Sequence, residues 1–301
     1  MSSPLRVAVV GVGHLGRHHV RLLAGLPDVS LVAAVDLVPE RAAAGVAAGA
    51  AESLTDVGAL AGRVDAVTIA VPTADHLNVA RPFLERGVHV LVEKPMTATL
   101  AEADEMIALA EASGAVLAVG HTERFNPAIA AAMPIVSSPR FIEVHRLSGF
   151  PERSLDIDVV FDVMIHDLDI ILALERSEVI AVDAIGVPVL TSRFDIANAR
   201  LRFASGCIAN ITASRISRDK VRKVRFFQRD MYVSVDYQTQ ELEVWRLRPQ
   251  PGDRPAIEGG KIDVAHGEPL GLELADFVSA VRERRQPRVS GRDGQIGRAH
   301  V

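Results

Sequence analysis

The sequence predicts an α/β protein: an N-terminal doubly wound parallel sheet, then an α+β domain built on a mostly antiparallel open sheet. Three observations carry that expectation. Short aliphatic runs alternate with helix-like segments over the first 120 residues. The alternation stops after Pro127. From Val179 to Trp245, strand-like runs then succeed one another with only short turns between them. At 301 residues the chain exceeds the roughly 150 that one domain takes, so two domains are expected, 1–121 and 122–301.

VAVV at 7–10, LVAAVD at 31–36, AVTIAV at 66–71, HVLVE at 89–93 and VLAVG at 116–120 read as strands. They are apolar throughout rather than alternating, the pattern of parallel strands covered on both faces. Helices are expected between them at 14–24, 39–48, 73–86 and 99–112, which makes the first half a doubly wound sheet. Past Pro127 come an Ala-rich helix, a loop with Pro134 and Pro139, a strand at 140–147 and a long helix at about 157–175. Strands follow at 179–189, 195–204, 207–216, 221–228, 231–237 and 241–246. Ser205-Gly206 and Arg229-Asp230 stand where tight turns would join neighbours. Residues 249–260, rich in Pro and Gly, read as a surface loop, and 270–285 as an amphipathic helix.

Composition narrows the function classes. Hydrophobic residues at 49% supply a core and exclude a disordered chain. A net charge of −5 argues against a nucleic acid held on a basic face. The single Cys207 excludes an internal disulfide framework and a multi-thiolate zinc site. No apolar run reaches the roughly 18 residues a membrane helix needs, and no signal peptide precedes the first strand. The expected compartment is the cytoplasm, with no membrane partner.

Gly11-Val-Gly13-His14-Leu15-Gly16 matches GxGxxG directly after a strand, and Asp36 ends the next strand twenty residues past Gly16. The first glycine allows the tight turn, the second lets the backbone approach a pyrophosphate, and the third lets helix and strand pack closely. The helix N-terminus then offers free N–H groups to phosphate. Asp36 would accept from ribose hydroxyls and repel a 2′-phosphate, favouring NAD over NADP, a preference that nearby Arg41 softens. The competing reading is a glycine-rich turn with an unrelated aspartate. His14, His18 and His19 read as solvent-facing helix residues, since no cysteine or acid shares a metal-ligand spacing with them.

Two further features carry chemistry. Glu93-Lys94-Pro95 ends the fourth of these strands, at the edge where open α/β sheets place ligands. Lysine occurs only at 94, 220, 223 and 261, so one beside that edge stands out. Its ammonium could donate to a substrate hydroxyl; the alternative is a surface lysine in a turn. In DVVFDVMIHDLDIILAL, 158–174, Asp162 and His166 interrupt an apolar helix at i and i+4, with Asp169 continuing the stripe. Ionisable groups inside such a helix are costly unless paired or lining a site. An Asp–His pair suits a general base, while a hydrogen-bonded core pair is the other reading.

GVGHLG with Asp36, VPTADH at 71–76, GVHVLVEKP at 87–95 and Asp162-x-x-x-His166 together resemble the Gfo/Idh/MocA oxidoreductases over essentially the whole chain. The resemblance implies a Rossmann domain, NAD as cofactor, and an α/β domain whose open sheet mediates homodimers or homotetramers. It implies that Lys94, Asp162 and His166 form the catalytic set, with His166 as acid/base and Lys94 and Asp162 orienting and polarising the reacting hydroxyl. It places Gly11, Gly13, His14, Leu15, Gly16, Asp36, Pro72, Thr73, His76, Glu93 and Lys94 at the cofactor.

Within that family, GHTERFNPA at 120–128, MIHDLDIIL and residues 195–217 are similar to members that oxidise UDP-N-acetylglucosamine at C3. That similarity implies a nucleotide-sugar substrate, with Arg124 and Asn126 near nicotinamide or sugar. A diphosphate needs cations, for which Arg146, Arg153 and Arg215 are candidates, each with an ordinary structural reading beside it. The other expected functions are a free-sugar or inositol dehydrogenase, or a non-catalytic cofactor-binding regulator. Two departures stand out: Met164 where the family commonly has glycine, and a tail, GRDGQIGRAHV, that reads as truncated or replaced where relatives continue into another helix.

Overall fold

Strands that are apolar on both faces must lie in the middle of a layered unit, and the first aliphatic runs do so. The computed structural model describes residues 3–150, 157–249 and 255–299. In chain order β1 (Leu5–Val10), α1 (Gly16–Ala24), β2 (Val29–Val35), α2 (Pro39–Ala47), β3 (Ser53–Leu54), β4 (Ala66–Ile69), α3 (His76–Leu84), β5 (His89–Glu93), α4 (Leu100–Ser113) and β6 (Leu117–Gly120) build the first unit. The strands form one parallel sheet in the order β3-β2-β1-β4-β5-β6. Strand order reverses beside β1, which opens the crevice where such sheets hold ligands. All four residues of β4 are buried, as a central parallel strand requires. A Thr99–Glu102 capping box starts α4, and Gly114, left-handed at φ 73°, stops it. The two-residue β3 and the 3-10 turn Val57–Leu60 are too short for a periodic signal and were not expected.

The second unit contains α5 (Pro127–Ala132), β7 (Pro139–Leu147), α6 (Ile165–Leu174), β8 (Val179–Val187), β9 (Ile196–Phe203), β10 (Ile208–Ser214), β11 (Val221–Gln228), β12 (Met231–Asp236), β13 (Glu241–Arg248) and β14 (Ala256–Ile262). The sheet order is β14-β13-β12-β11-β7-β10-β9-β8, antiparallel except where β7 and β10 run parallel. Alternation along β9 sends Ala197, Ala199, Leu201 and Phe203 into the core, with exposed residues between them. That core joins the inner face of the sheet to α5 and α6 through Ile129, Leu168 and Ile171. On the opposite face the rings of Phe141, Phe227 and Tyr232 line up, with centroid spacings of 5.7 and 5.2 Å.

Four expectations change. Residues 256–260, expected within a loop, belong to β14, which runs on to Ile262 against β13; 250–254 lie outside the described residues. The helix expected from 157 opens instead with a π turn, Val160–Met164. The chain ends with α7 (Pro269–Glu283) and α8 (Gly291–Ala299), and the latter was not anticipated. The expected second domain of 122–301 is also not continuous. One unit runs through Thr122 and takes in Leu270–Ala299, while the other is Glu123–Pro269. The cause is the apolar face of α7: Leu274, Phe277, Val278 and Val281 share one buried cluster with Val7, Val9, Leu23 and Leu31.

Phe277→Ala is therefore expected to remove about 3–5 kcal/mol from the first unit, as truncating a buried aromatic does. Urea unfolding measures it; an unchanged midpoint would show that α7 lies outside that core.

Candidate active site

The glycines at the end of β1 differ in what they permit. Gly11 has φ +86°, and a Cβ there would meet the Ala70 carbonyl oxygen at 2.6 Å. A Cβ on Gly16 would lie 1.7 Å from the Gly11 carbonyl oxygen, so α1 packs where only glycine fits. Around Gly13 nothing lies within 4 Å of that position, leaving the open space a pyrophosphate needs. Leu15 stands at the N-cap of α1 without a side-chain cap, and the first turn holds no acid, so its N–H groups suit an anion. Asp36 faces the same turn: its Oδ2 accepts the Val12 amide at 2.8 Å and its Oδ1 the Val38 amide at 2.9 Å. These residues fit a dinucleotide. His14 is exposed beside Arg17, with 3.2 Å between its Nδ1 and a guanidinium nitrogen.

The ends of β4 and β5 supply the rest of this edge. Pro72 leads into a 3-10 turn, Thr73–Asp75, so α3 begins at His76 rather than at 73. His76 is buried, with Nε2 at 3.0 Å from the Val71 carbonyl and Nδ1 at 3.1 Å from that of Pro95. It thereby joins the turn after β4 to the turn after β5. Burial pushes its ring pKa down, against the pull of those carbonyls. At the end of β5, Glu93 Oε1 meets His19 Nε2 at 2.9 Å, both groups buried. The Lys94 amide donates to Glu93 Oε2 at 3.3 Å. Burial pushes the Glu93 carboxyl up, but the hydrogen bond and charge of His19 outweigh it and hold the group below its ordinary value.

His19 overturns the expectation of a solvent-facing side chain. It shares the buried face of α1 with Gly16, Val20 and Leu23, a helical spacing legible in the sequence. The described first unit thus brings Gly11, Gly13, Gly16, Asp36, Pro72, Thr73, His76, Glu93 and Lys94 to the carboxyl edge of one parallel sheet.

In the second unit, Asp162 and His166 are both half-buried. Asp162 lies inside the π turn, where the Ile165 amide bonds back five residues to the Val160 carbonyl. The α-helical spacing expected for Asp162 and His166 therefore crosses a widened turn. Met164 is buried in the core of this unit, so it fills apolar volume there.

The residues expected near substrate are held firmly. Arg146 places Nε and Nη2 on the two oxygens of Asp167 at 2.8 and 2.9 Å, and Nη1 on Glu123 at 2.9 Å. Arg124 Nη1 meets Asp169 Oδ1 at 3.2 Å. Asn126 donates to the Tyr237 carbonyl at 2.9 Å and caps α5 by accepting from Ala128. Arg215, buried, puts Nε on Asp195 at 2.9 Å and Nη1 on the Ile157 carbonyl at 2.6 Å. Arg146 or Arg215 would have to leave a buried ion pair to meet a diphosphate. Arg153 lies outside the described residues. Among the described residues, no group of three or more His, Cys, Asp or Glu is arranged to hold a metal, and no helix is long and apolar enough to cross a membrane.

Residues 5–121 match the model of an oxidoreductase family with an NAD-binding Rossmann fold, Gfo/Idh/MocA. The chain is 39% identical to the UDP-N-acetylglucosamine 3-dehydrogenase of Acidithiobacillus ferrooxidans, over 93% of this chain and 90% of that protein. A solved structure of that enzyme superposes with a TM-score of 0.91 at 36% identity, covering 99% of this chain and 96% of the other. Scyllo-inositol 2-dehydrogenase (NAD(+)) of Bacillus subtilis is 27% identical over 98% of this chain and 92% of its own length.

Two measurements follow from the geometry. Asp36→Ala is expected to weaken NAD binding roughly tenfold or more, the equivalent of one charged hydrogen bond at about 1.5–3 kcal/mol, and to narrow the gap between NAD and NADP. Cofactor titration reads both, and equal affinities in the parent protein would refute the role given to Asp36. Asp195 makes a pH prediction. Burial pushes its carboxyl up, but the amides of Val189, Thr191 and Leu190 outweigh that and hold it well below the usual carboxylate range. A depressed carboxylate stabilises the fold above its ordinary value of 3.8, and that stability is lost as the pH falls. Asp195→Asn should therefore lower the thermal midpoint near neutral pH, with the difference from the parent narrowing in acid.

Proposed function

The chain belongs to the Gfo/Idh/MocA oxidoreductases, a family of NAD-binding Rossmann proteins, and from that premise we propose an NAD-dependent dehydrogenase of a sugar hydroxyl, at C3 of a UDP-N-acetylhexosamine. The observation that carries the substrate is the 39% identity to a UDP-N-acetylglucosamine 3-dehydrogenase, sustained through both units. The nicotinamide, when bound, supplies the acceptor for the hydride leaving the carbinol carbon. His166 takes the hydroxyl proton on a ring nitrogen as the ketone forms. Asp162 stabilises the charge that His166 gains, and the Lys94 ammonium donates to the substrate oxygen, favouring its alkoxide-like form. At the cofactor, the glycine turn and the start of α1 receive the pyrophosphate, and Asp36 receives the ribose hydroxyls. His14, Leu15, Pro72 and Thr73 complete that surface, and the buried His76 and Glu93 hold the turns beneath it.

A second reading, a dehydrogenase of a free sugar or inositol, draws on the 27% identity to a scyllo-inositol 2-dehydrogenase. A non-catalytic regulator would have no use for Lys94, Asp162 and His166 together. The protein acts in the cytoplasm as a homodimer or homotetramer through the open sheet face. Supporting that assembly, Phe227 and Trp245 on this face remain 36% and 39% exposed.

His166→Ala is expected to lower turnover by about a hundredfold or more, the usual contribution of a general base, with NAD affinity unchanged. Unchanged turnover would remove His166 from its role. A thermal-shift panel on the NAD-saturated protein selects the substrate by mass action. Stabilisation by UDP-N-acetylhexosamines and not by free sugars supports the nucleotide-sugar reading; stabilisation by inositols alone replaces it.

A further inference from the structure

Helix α6 carries His166, and the two acids that follow it, Asp167 and Asp169, are both buried. Each is met by a buried arginine from outside the helix. Arg146, on β7, holds Asp167 with two parallel hydrogen bonds, the directional form of this contact. Arg124, in the 3-10 turn Thr122–Phe125, holds Asp169. On an α-helix, residues two apart project about 200° from each other, so the carboxylates are gripped from different sides and α6 is fixed against both rotation and sliding.

The same short segment makes further bonds in this unit. Glu123 accepts from Arg146, Asn126 donates to the Tyr237 carbonyl, and the Arg146 guanidinium lies 4.9 Å from the centroid of the Tyr237 ring. Buried ion pairs seldom stabilise more than apolar residues of equal volume would. Two of them on one helix therefore call for a reason other than stability. The π turn at 160–164 supplies one. It is a register insertion directly ahead of α6, and Asp162 lies inside it. With α6 held by its acids, the position of His166 is set by the clamps, and the phase of Asp162 against it is set at the π turn.

We propose that Arg124 and Arg146 are positioning residues of the dehydrogenase: through Asp169 and Asp167 they lock α6 so that His166 is presented in one orientation. This rests on the role given above to His166, and it assigns Arg146 to that helix rather than to a substrate diphosphate, and Arg124 to the same helix rather than to nicotinamide or sugar.

The test removes one clamp without leaving a buried charge, as Arg124→Met with Asp169→Leu in the same chain. Three quantities are compared with the parent: the thermal midpoint, kcat and KM with NAD and UDP-N-acetylglucosamine, and the His166 Cε1–H signal in ¹³C-histidine NMR. The signal is assigned by its loss in His166→Gln. The expected result is a midpoint equal to or above the parent's, unchanged NAD affinity, a kcat lower by about tenfold to a hundredfold, the usual effect of a small misplacement, and a displaced His166 signal. A superimposable His166 signal with an unaltered kcat overturns the proposal, whatever the midpoint does. Should the double variant fail to fold, Arg124→Lys decides by the same signal, because it keeps the charge and alters the grip. Absence of UDP-N-acetylglucosamine turnover in the parent defeats the proposed substrate alone, and the His166 signal still decides on the clamps.

Discussion

A methyl group on Gly16 would lie 1.7 Å from the carbonyl oxygen of Gly11, and most of the cofactor edge depends on that closeness. The contact draws the start of α1 against the turn that ends β1. Three residues further along the helix, His19 is then deep enough to reach Glu93 at the end of β5. Glu93 in turn receives the amide of Lys94 and packs against Gly120, where a Cβ would come within 2.9 Å of its Oε2. Two glycines thus make room for one buried acid, and that acid joins the helix that follows the glycine turn to the strand end bearing the lysine. Few side chains could replace any member of this chain of contacts, since each sits where the previous one leaves space.

Most of the first unit was legible because its strands are short, aliphatic and separated by helices of ordinary length. The glycine turn and Asp36 could be placed from spacing alone. Three histidines close together in sequence suggest a solvent-facing group, whereas the helical period separates them: His19 shares its face with Gly16, Val20 and Leu23. The return of 270–299 to the first unit was not legible, since an amphipathic helix declares that it has a buried face and not which core receives it. The π turn leaves no mark in the apolar pattern either, because one extra residue in a helix that is apolar nearly all round changes no face.

The arginines of the second unit give a sharper case. The charge of Arg146 suggests a ligand for phosphate, yet β7 alternates, and Ile142, Val144 and Arg146 share one parity. Likewise Ala209, Ile211 and Ala213 point inward along β10, and Arg215 continues that phase just past its end. A period of two, applied to charged as well as apolar residues, would have sent both side chains into the core. Once there, each guanidinium requires a carboxylate, and Asp167 and Asp195 provide them.

What distinguishes these pairs is the element they grip. Arg215 and Asp195 gather the amides of Val189, Leu190 and Thr191 around one carboxylate, so their work is to shape a connection between strands. Arg146 and Arg124 act on a helix that already has Ile165, Leu168, Ile170 and Ile171 buried and needs no charge to stay in place. Apolar packing is non-directional: it fixes that a helix is buried and permits small rotations at little cost. A bidentate guanidinium has a direction, and in the role proposed for His166 a helix presenting one ring nitrogen to one proton gains from it what further leucines would not supply.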